Sequence, residues 1–267
     1  MTVADVLDGG FAVLKARPRR LLGLAAAFVV PSQLLVAFIG RQVSGGLGVA
    51  DVFSGDPAVL DQSSSDLGAQ YSAIFAAVFL SGLALVCVAA AVAHQVSQWM
   101  MGRDAPAGEL FGVVGRRIVP LTVSFVLVKL AEVAGIFGCY VAIVFVMAMF
   151  VVVAPVIAVE GVGPFTALGR SIRLVQGRYF PVLGLALLMG IVGLLLSNAL
   201  AALPQVLAIW IDSPAAWPLL AVGGVVAEVI VVPFTAAATT LLYLDLRVRN
   251  EGLDIEMTAR HVLDRPA

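Results

Sequence analysis

The sequence predicts an all-α polytopic membrane protein with six transmembrane helices. Composition is the first reason: 61% of the 267 residues are hydrophobic, and only 12% are charged. The mean hydropathy is +1.05. A soluble domain is typically about a quarter charged and under half apolar, so this much apolar surface requires lipid as its solvent. The other two reasons are the lengths of the apolar runs and the positions of the basic residues.

Six apolar runs are each long enough to cross about 30 Å of hydrocarbon, which takes about 20 residues. They lie near residues 21–40, 72–96, 119–137, 140–158, 181–203 and 218–244. Gly135 and Gly138 favour a turn between the third and fourth runs. One helix over 119–158 would be about 60 Å long, twice the membrane thickness, so we interpret this stretch as two spans.

The basic residues predict the orientation of the six spans. All but two of them fall on one side of the membrane, namely Lys15, Arg17, Arg19, Arg20, Arg103, Arg116, Arg117, Arg170, Arg173, Arg178, Arg247, Arg249, Arg260 and Arg265. The opposite loops contain only Arg41. The positive-inside rule therefore predicts cytoplasmic termini, with a cytoplasmic tail over 245–267. The tryptophans and tyrosines, including Tyr243, are expected at headgroup level because amphipathic rings favour that depth.

An internal repeat is visible in the sequence. Residues 5–25 align without gaps with residues 166–186, and six positions are identical, including the pair Arg17 and Arg178. In each copy an amphipathic cytoplasmic segment, 1–20 or 164–178, leads into an odd-numbered span. With a fainter third copy over 109–121, this pattern predicts three units, each an interfacial helix followed by an in–out–in hairpin. The alternative is that any junction between a loop and a membrane span has this pattern.

The basic residues of the 164–178 segment are candidate ligands for lipid headgroups. Arg170, Arg173 and Arg178 would bind anionic lipids if this amphipathic helix lies on the membrane surface. The alternative is that these arginines only determine the topology.

Three ionisable residues fall inside predicted spans. Lys129 and Glu228 are each about ten residues, or roughly 15 Å, from the start of their spans, and Glu132 lies one turn beyond Lys129. A charge that faces lipid at that depth costs at least about 2.5–3.5 kcal/mol, so we expect Lys129 to pair with Glu228, with Glu132 or with both. The surplus carboxylate would then be a site for a proton or a cation. The alternative is a purely structural ion pair.

Catalytic and metal-binding patterns are not found in the sequence. His94 has no acidic residue within a helical turn, so we interpret it as a polar cap at the membrane interface. Cys87 and Cys139 have no metal-ligand spacing, and the dispersed basic residues give no nucleic-acid-binding pattern. We therefore expect no cofactor, no metal, no nucleic-acid partner and no enzymatic activity.

Two stretches carry a resemblance to a known family. They are "VVPFTAAATTLLYLDLRVRNEGLDI" over 231–255 and "VAPVIAVEGVGPFTALGRSIRLVQGRYFPVLG" over 153–184. These stretches, with "ADVLDGGFAVLKAR" near the N-terminus, resemble the membrane domain that is found fused to some bacterial glycerophosphodiester phosphodiesterases and also stands alone in actinobacteria. The resemblance implies the cell membrane of a bacterium. The fused enzymes carry their catalysis in a separate soluble barrel, which this chain has no room for.

Two functions remain open on the sequence. The first is a non-enzymatic membrane protein that binds or translocates a lipid-like or small charged ligand at Lys129, Glu132 and Glu228. The second is a membrane scaffold or accessory subunit that presents its arginine-rich cytoplasmic helices to a membrane or cytoplasmic protein partner. The sequence does not determine the oligomeric state.

Overall fold

The computed structural model describes residues 3–43, 67–138, 140–211 and 217–252, and secondary structure in these ranges is helical. The first part of the chain forms α1 (Val3–Ala16), α2 (Pro18–Val43), α3 (Leu67–Met100) and α4 (Ala107–Gly138). The second part forms α5 (Tyr140–Phe150), α6 (Val153–Glu160), α7 (Pro164–Gln176), α8 (Tyr179–Ile211) and α9 (Trp217–Glu251). The predicted tail over 253–267 and the segment 44–66 lie outside the described residues.

Six stretches of these helices are long and apolar enough to cross a membrane, which confirms the predicted fold class. They cover Pro18–Ile39, Tyr71–Met100, Ala107–Gly135, Ile143–Glu160, Tyr179–Ala208 and Pro218–Glu251. Large apolar side chains on them are exposed, for example Val119, Leu203 and Trp210, as expected where lipid is the solvent. The in–out–in arrangement of the hairpins stays a prediction.

The fourth span is not one continuous helix. The α-helical conformation stops after Phe150 and resumes at Val153, with the α6 N-cap at Val152. Pro155 accounts for the break, because proline has no N–H to donate to the preceding turn and is tolerated only near a helix start. The backbone N–H of Val156 donates to the carbonyl oxygen of Val152 at 3.1 Å, which is the hydrogen bond that joins the N-cap residue to α6. Each fragment packs against both α4 and α7.

The chain divides into two compact units. Unit one contains residues 1–17, 89–190 and 234–267, and unit two contains residues 18–88 and 191–233. The unit boundaries fall inside α3, α8 and α9. The core of unit one is rich in alanine, since Ala89–Ala93 and Ala236–Ala238 are all buried. Small buried side chains allow helix backbones to approach closely in a membrane protein.

In unit one, α1 packs against the last part of α9. Phe11 lies on Phe234 with a distance of 4.3 Å between the ring centroids. Gly9 and Gly10 face Leu241 and Phe234, and a Cβ atom added at Gly9 would lie only 2.6 Å from Leu241 Cδ1. The N-terminal amphipathic segment therefore docks on the protein through a glycine contact.

The helix breaks bear on the predicted repeat. Helical conformation is interrupted at Arg17, between α1 and α2, and at Gly177 and Arg178, between α7 and α8. The two aligned arginines therefore both lie where one helix ends and the next begins. The third copy differs, because α4 runs without interruption from Ala107 to Gly138. The expectation of a separate interfacial helix at 109–121 is wrong. Common descent of the first two copies stays a prediction.

In unit two, α8 and α9 are in close contact at Gly223. A Cβ atom added there would lie 2.9 Å from Pro204 Cβ and 3.1 Å from Pro204 Cγ. Gly190 in α8, by contrast, has no atom within 4 Å of such a Cβ position. The sequence pattern Gly223/Ala227 thus corresponds to a real close approach of helices.

We predict that Gly223→Ala destabilises the protein, because the rigid proline ring cannot move away from the added methyl group. Overpacking of this kind costs about 1–3 kcal/mol. Thermal unfolding of the detergent-purified chain measures the effect. Gly190→Ala is the matched control and should be neutral or slightly stabilising, since alanine favours a helix over glycine by about 1 kcal/mol. Equal midpoints for the two variants would contradict the prediction.

Candidate functional site

Glu228 lies at an open cavity that is lined by residues of unit two. The cavity has a volume of about 160 Å³, and its lining consists of Gln33 from α2, Ser197, Asn198 and Ala201 from α8, and Gly224, Ala227 and Glu228 from α9. Glu228 lies 11 residues from the start of α9, a distance of about 16 Å along the helix. Three helices therefore bring polar side chains together at membrane depth.

Glu228 accepts a hydrogen bond from the Ser197 hydroxyl. Gln33 Nε2 donates to Ser81 Oγ at 3.2 Å, which directs the amide. A Cβ atom added at Gly224 would lie 3.5 Å from Gln33 Oε1, so that oxygen faces α9. The described lining of this cavity contains oxygen acceptors and no basic residue. Such a donor set suits a proton, a hard cation or an ammonium group.

Lys129 and Glu132 form an ion pair on α4. The distance from Lys129 Nζ to Glu132 Oε2 is 2.7 Å, and the ammonium group also lies 5.7 Å from the Phe125 ring centroid. Both partners are one turn apart on the same helix, so the charges neutralise each other without another helix. The predicted pairing of Lys129 with Glu132 is confirmed.

Glu228 belongs to unit two, whereas Lys129 and Glu132 belong to unit one. The predicted pairing of Lys129 with Glu228 therefore stays a prediction. Each residue already has a partner within its own unit, namely Glu132 for Lys129 and Ser197 for Glu228.

Of the three candidate headgroup ligands, Arg170 is engaged within the protein. Its Nε donates to Glu160 Oε2 at 3.0 Å, and its Nη1 forms an ion pair with Glu251. The hydrogen bond to Glu251 raises the pKa of the Arg170 guanidinium above its usual range and outweighs the opposite effect of burial. Arg173 and Arg178 are exposed, with no ion pair recorded to another described residue, so binding of anionic lipid stays a prediction for these two.

Glu160 is the centre of a network that joins three helices of unit one. Besides Arg170 of α7, it accepts a hydrogen bond from the Tyr243 hydroxyl of α9 at 2.9 Å. Arg247 Nε lies 4.0 Å from Glu160 Oε1 and 3.1 Å from Glu251 Oε2. Two carboxylates and two guanidinium groups thus alternate around a closed, neutral set. We call these five residues the Glu160 network.

Tyr243 does not anchor the protein through contact with headgroups, so that part of the expectation is wrong, whereas its depth in the membrane stays a prediction. Its side chain is fully buried, and its ring lies 5.9 Å below the Arg247 guanidinium carbon. The hydroxyl finds its hydrogen-bond partner in the protein and has no need of the interface. Asp245 precedes Arg249 by four residues, a spacing that predicts an ion pair on one helix, and Arg249 Nε does lie 3.0 Å from Asp245 Oδ1.

Sequence reasoning missed the Glu160 network as a unit. A usable signal was present: Glu160 is the only acidic residue between 140 and 178, and this stretch contains three arginines. A lone carboxylate at the end of an apolar span needs a cationic partner. Arg170 lies only ten positions from Glu160. Tyr243, Arg247 and Glu251, however, lie more than 80 positions after Glu160, so their contacts could not be predicted from local sequence.

His94 has a carboxylate partner that its own helix does not provide. Its Nε2 lies 3.0 Å from Glu109 Oε1 of α4. The neighbouring hydroxyl of Ser97 donates to the backbone oxygen of His94 at 2.7 Å, so it is not held by the imidazole as a nucleophile would be. Among the residues that the structure describes, no group of three or more His, Cys, Asp or Glu side chains could hold a metal ion.

Comparisons of the chain with protein-family models, with curated proteins and with solved structures found no match. The resemblance to the membrane domain of the phosphodiesterases therefore stays a prediction. The chemistry of this protein has to be argued from its own contacts, charges and cavities.

We predict that Lys129→Met lowers the midpoint of thermal unfolding by several degrees, because it leaves the Glu132 carboxylate unpaired in the membrane. The double variant Lys129→Met with Glu132→Gln removes both charges and should recover most of the loss. Unfolding of the detergent-solubilised variants is the measurement. A double variant as unstable as the single one would show that the pair has a further partner.

We predict that Tyr243→Phe destabilises the protein through loss of the hydrogen bond to Glu160. A hydrogen bond to a charged group contributes about 1.5–3 kcal/mol, which corresponds to a fall of several degrees in the midpoint of unfolding. Tyr71→Phe is the matched control, because the Tyr71 side chain is 69% exposed. If both substitutions shift the midpoint equally, the network is not the cause.

Proposed function

We propose that this polytopic membrane protein is non-enzymatic and binds a small cationic ligand at Glu228 inside the membrane, as a step in its translocation. The observation that carries the proposal is the cavity of about 160 Å³ that joins Glu228 to Gln33, Ser197 and Asn198. A carboxylate in an apolar span is expensive and is commonly functional. Its cavity supplies oxygen acceptors and has room for water or a small cation.

The sequence left open a lipid-like ligand or a small charged ligand. The cavity around Glu228 favours a small cation. Glu228 would supply the negative charge, and the Gln33 carbonyl oxygen and the Ser197 hydroxyl would supply neutral ligands. Transporters often bind their ions near the middle of the membrane, where helices expose polar groups to a cavity. Lys129 and Glu132 would be a structural ion pair outside this site.

The experiment is carboxyl labelling with N,N′-dicyclohexylcarbodiimide, a hydrophobic reagent that modifies protonated carboxyl groups in membrane spans. We expect the full-length protein to be labelled at Glu228, and sodium, potassium or methylammonium ions at constant pH to slow the labelling. Peptide mass spectrometry locates the label. Uptake of the protecting cation into proteoliposomes then tests translocation.

Glu228→Gln is compared with the double variant Lys129→Met with Glu132→Gln, because each removes one intramembrane carboxyl group and the double variant leaves no charge of the ion pair unpaired. We expect cation protection and uptake to be lost in Glu228→Gln and kept in the double variant. Labelling at Glu228 that no cation slows, or uptake that survives Glu228→Gln, would contradict the proposal.

The resemblance supports a proposal of kinship with the membrane domains that accompany bacterial phosphodiesterases. Its two quoted stretches are far apart in sequence, yet Glu160 and Arg170 of one stretch contact Tyr243 and Glu251 of the other. The two stretches would then serve one structural purpose, which is to form the Glu160 network between helices. That purpose requires no enzymatic role for the membrane domain. A bacterial cell membrane with both termini in the cytoplasm belongs to the same proposal.

The alternative function is a scaffold or accessory subunit, and α7 is the observation that favours it. Its Ala167, Ser171 and Leu174 are buried, whereas Phe165 and Arg173 are exposed. An amphipathic helix with an exposed aromatic and basic face suits a protein partner as well as a lipid surface. Loss of a co-purifying partner in a Phe165→Ala variant that retains cation binding would favour this alternative.

A further inference from the structure

A second cavity, of about 550 Å³, lies in unit one. We call it the arginine cleft. Among its lining residues are His94 and Gln98 of α3, Arg116 and Arg117 of α4, and Gly161 and Gly163 of the connection between α6 and α7. Its volume falls within the range of about 300–1,000 Å³ that is usual for small-molecule sites. The Glu160 network and the intramembrane ion pair do not line it.

Arg117 is held in a defined position in this cleft. Its Nη1 donates to the backbone oxygen of Ile157 in the last turn of α6. The guanidinium lies against Gly161, where a Cβ atom would be 2.8 Å from Nη2. Gly161 ends α6 with φ of 73°, a left-handed backbone conformation that favours glycine. A cation that is already positioned loses little entropy when it binds an anion.

Arg116 gives the cleft a positive charge that no described partner neutralises. Its side chain is exposed, and no ion pair to another described residue is recorded for it. The described lining of the cleft contains no carboxylate. Glu109, which pairs with His94, does not line the cleft. Two adjacent guanidinium groups therefore act on this space together.

Gly163, the N-cap residue of α7, also lines the cleft. It has no side chain that could accept the free N–H groups of the helix start. The free N–H groups and the helix dipole at such an end favour an anion. Guanidinium groups bind phosphate oxygens in a bidentate manner, so the donor set is that of a phosphate site.

The cleft lies at the end of the fourth apolar stretch, Ile143–Glu160, and beside the predicted start of the third span at residue 119. Ile118 and Val119 directly follow the two arginines, and Val119 is 68% exposed. The predicted hydrophobic run starts at residue 119, so a group bound to the arginines would be at headgroup level. An exposed apolar surface continues from there into the span, as a phospholipid with its acyl chains would require.

We propose that the arginine cleft binds a phosphate group, carried either by an anionic phospholipid or by a free phosphate. Arg116 and Arg117 contact the phosphate oxygens, and Gly163 at the N-terminal end of α7 lies at the same cleft. This site differs from the residues 170, 173 and 178 that the sequence suggested for headgroups, and it does not depend on Glu228 or on transport.

The test is native mass spectrometry of the full-length protein in detergent, with phosphatidylglycerol, phosphatidylcholine or inorganic phosphate added separately. We expect phosphatidylglycerol to bind more tightly than phosphatidylcholine. Arg116→Gln should weaken phosphatidylglycerol binding about fivefold, the effect of one basic residue near an anionic lipid surface. Arg116 is exposed, so the variant should fold, and an unchanged unfolding midpoint verifies this.

Arg103→Gln is the matched control, because Arg103 is an exposed positive charge in the connection between α3 and α4 and does not line the cleft. It should weaken binding by less than about twofold. Competition by millimolar inorganic phosphate would identify free phosphate as the source of the group, and no competition would identify the lipid. Equal losses in the two variants, or no loss in Arg116→Gln, would overturn the proposal.

Discussion

The ion pair between Glu160 and Arg170 is the interaction on which the packing of α6, α7 and α9 in unit one depends. Glu160 ends a short helix whose start is set by Pro155, and Arg170 lies on the amphipathic helix that follows. Tyr243 and Glu251 bring α9 to the same two residues. If Glu160 lost its partners, a carboxylate would be left part-buried beside lipid, which costs far more than the pair itself contributes. The need to pair the Glu160 carboxylate therefore brings α6, α7 and α9 together.

The charges of the protein occur in four physically different arrangements. Lys129 and Glu132 neutralise each other on one helix, so their pairing imposes no constraint on other helices. The Glu160 network neutralises charges between helices and so determines how they pack. Glu228 has a hydroxyl and amides around it, with no described cation in its cavity. The arginine cleft is the opposite case, with guanidinium groups and no carboxylate among the described residues that line it. The first two arrangements are complete within the protein, and the last two are suited to a ligand of opposite charge.

Helix interruptions and glycine contacts place these charges. The break at residues 151–152 ends α5, and α6 begins directly after it. The last turn of α6 places Glu160 in the network and the backbone oxygen of Ile157 against Arg117. Gly161 permits the close approach of Arg117, and Gly223 permits the close approach of α8 to α9 beside the Glu228 cavity. In lipid, where apolar burial gives little preference between neighbours, close packing of small residues and polar contacts decides which helices meet.

The sequence by itself determined the all-α membrane fold, six spans and the intrahelical pairs of Lys129 with Glu132 and Asp245 with Arg249. These follow from hydropathy and from the 3.6-residue period, which are local properties. Only the tertiary structure decided that Tyr243 is buried, that Arg170 is engaged by two carboxylates, that α4 is uninterrupted at its start, and that His94 meets Glu109. Each of these depends on a partner from another helix or on a helix end. Local patterns predict which face of a helix is polar, but the choice among several polar partners at the same depth is made when the helices pack.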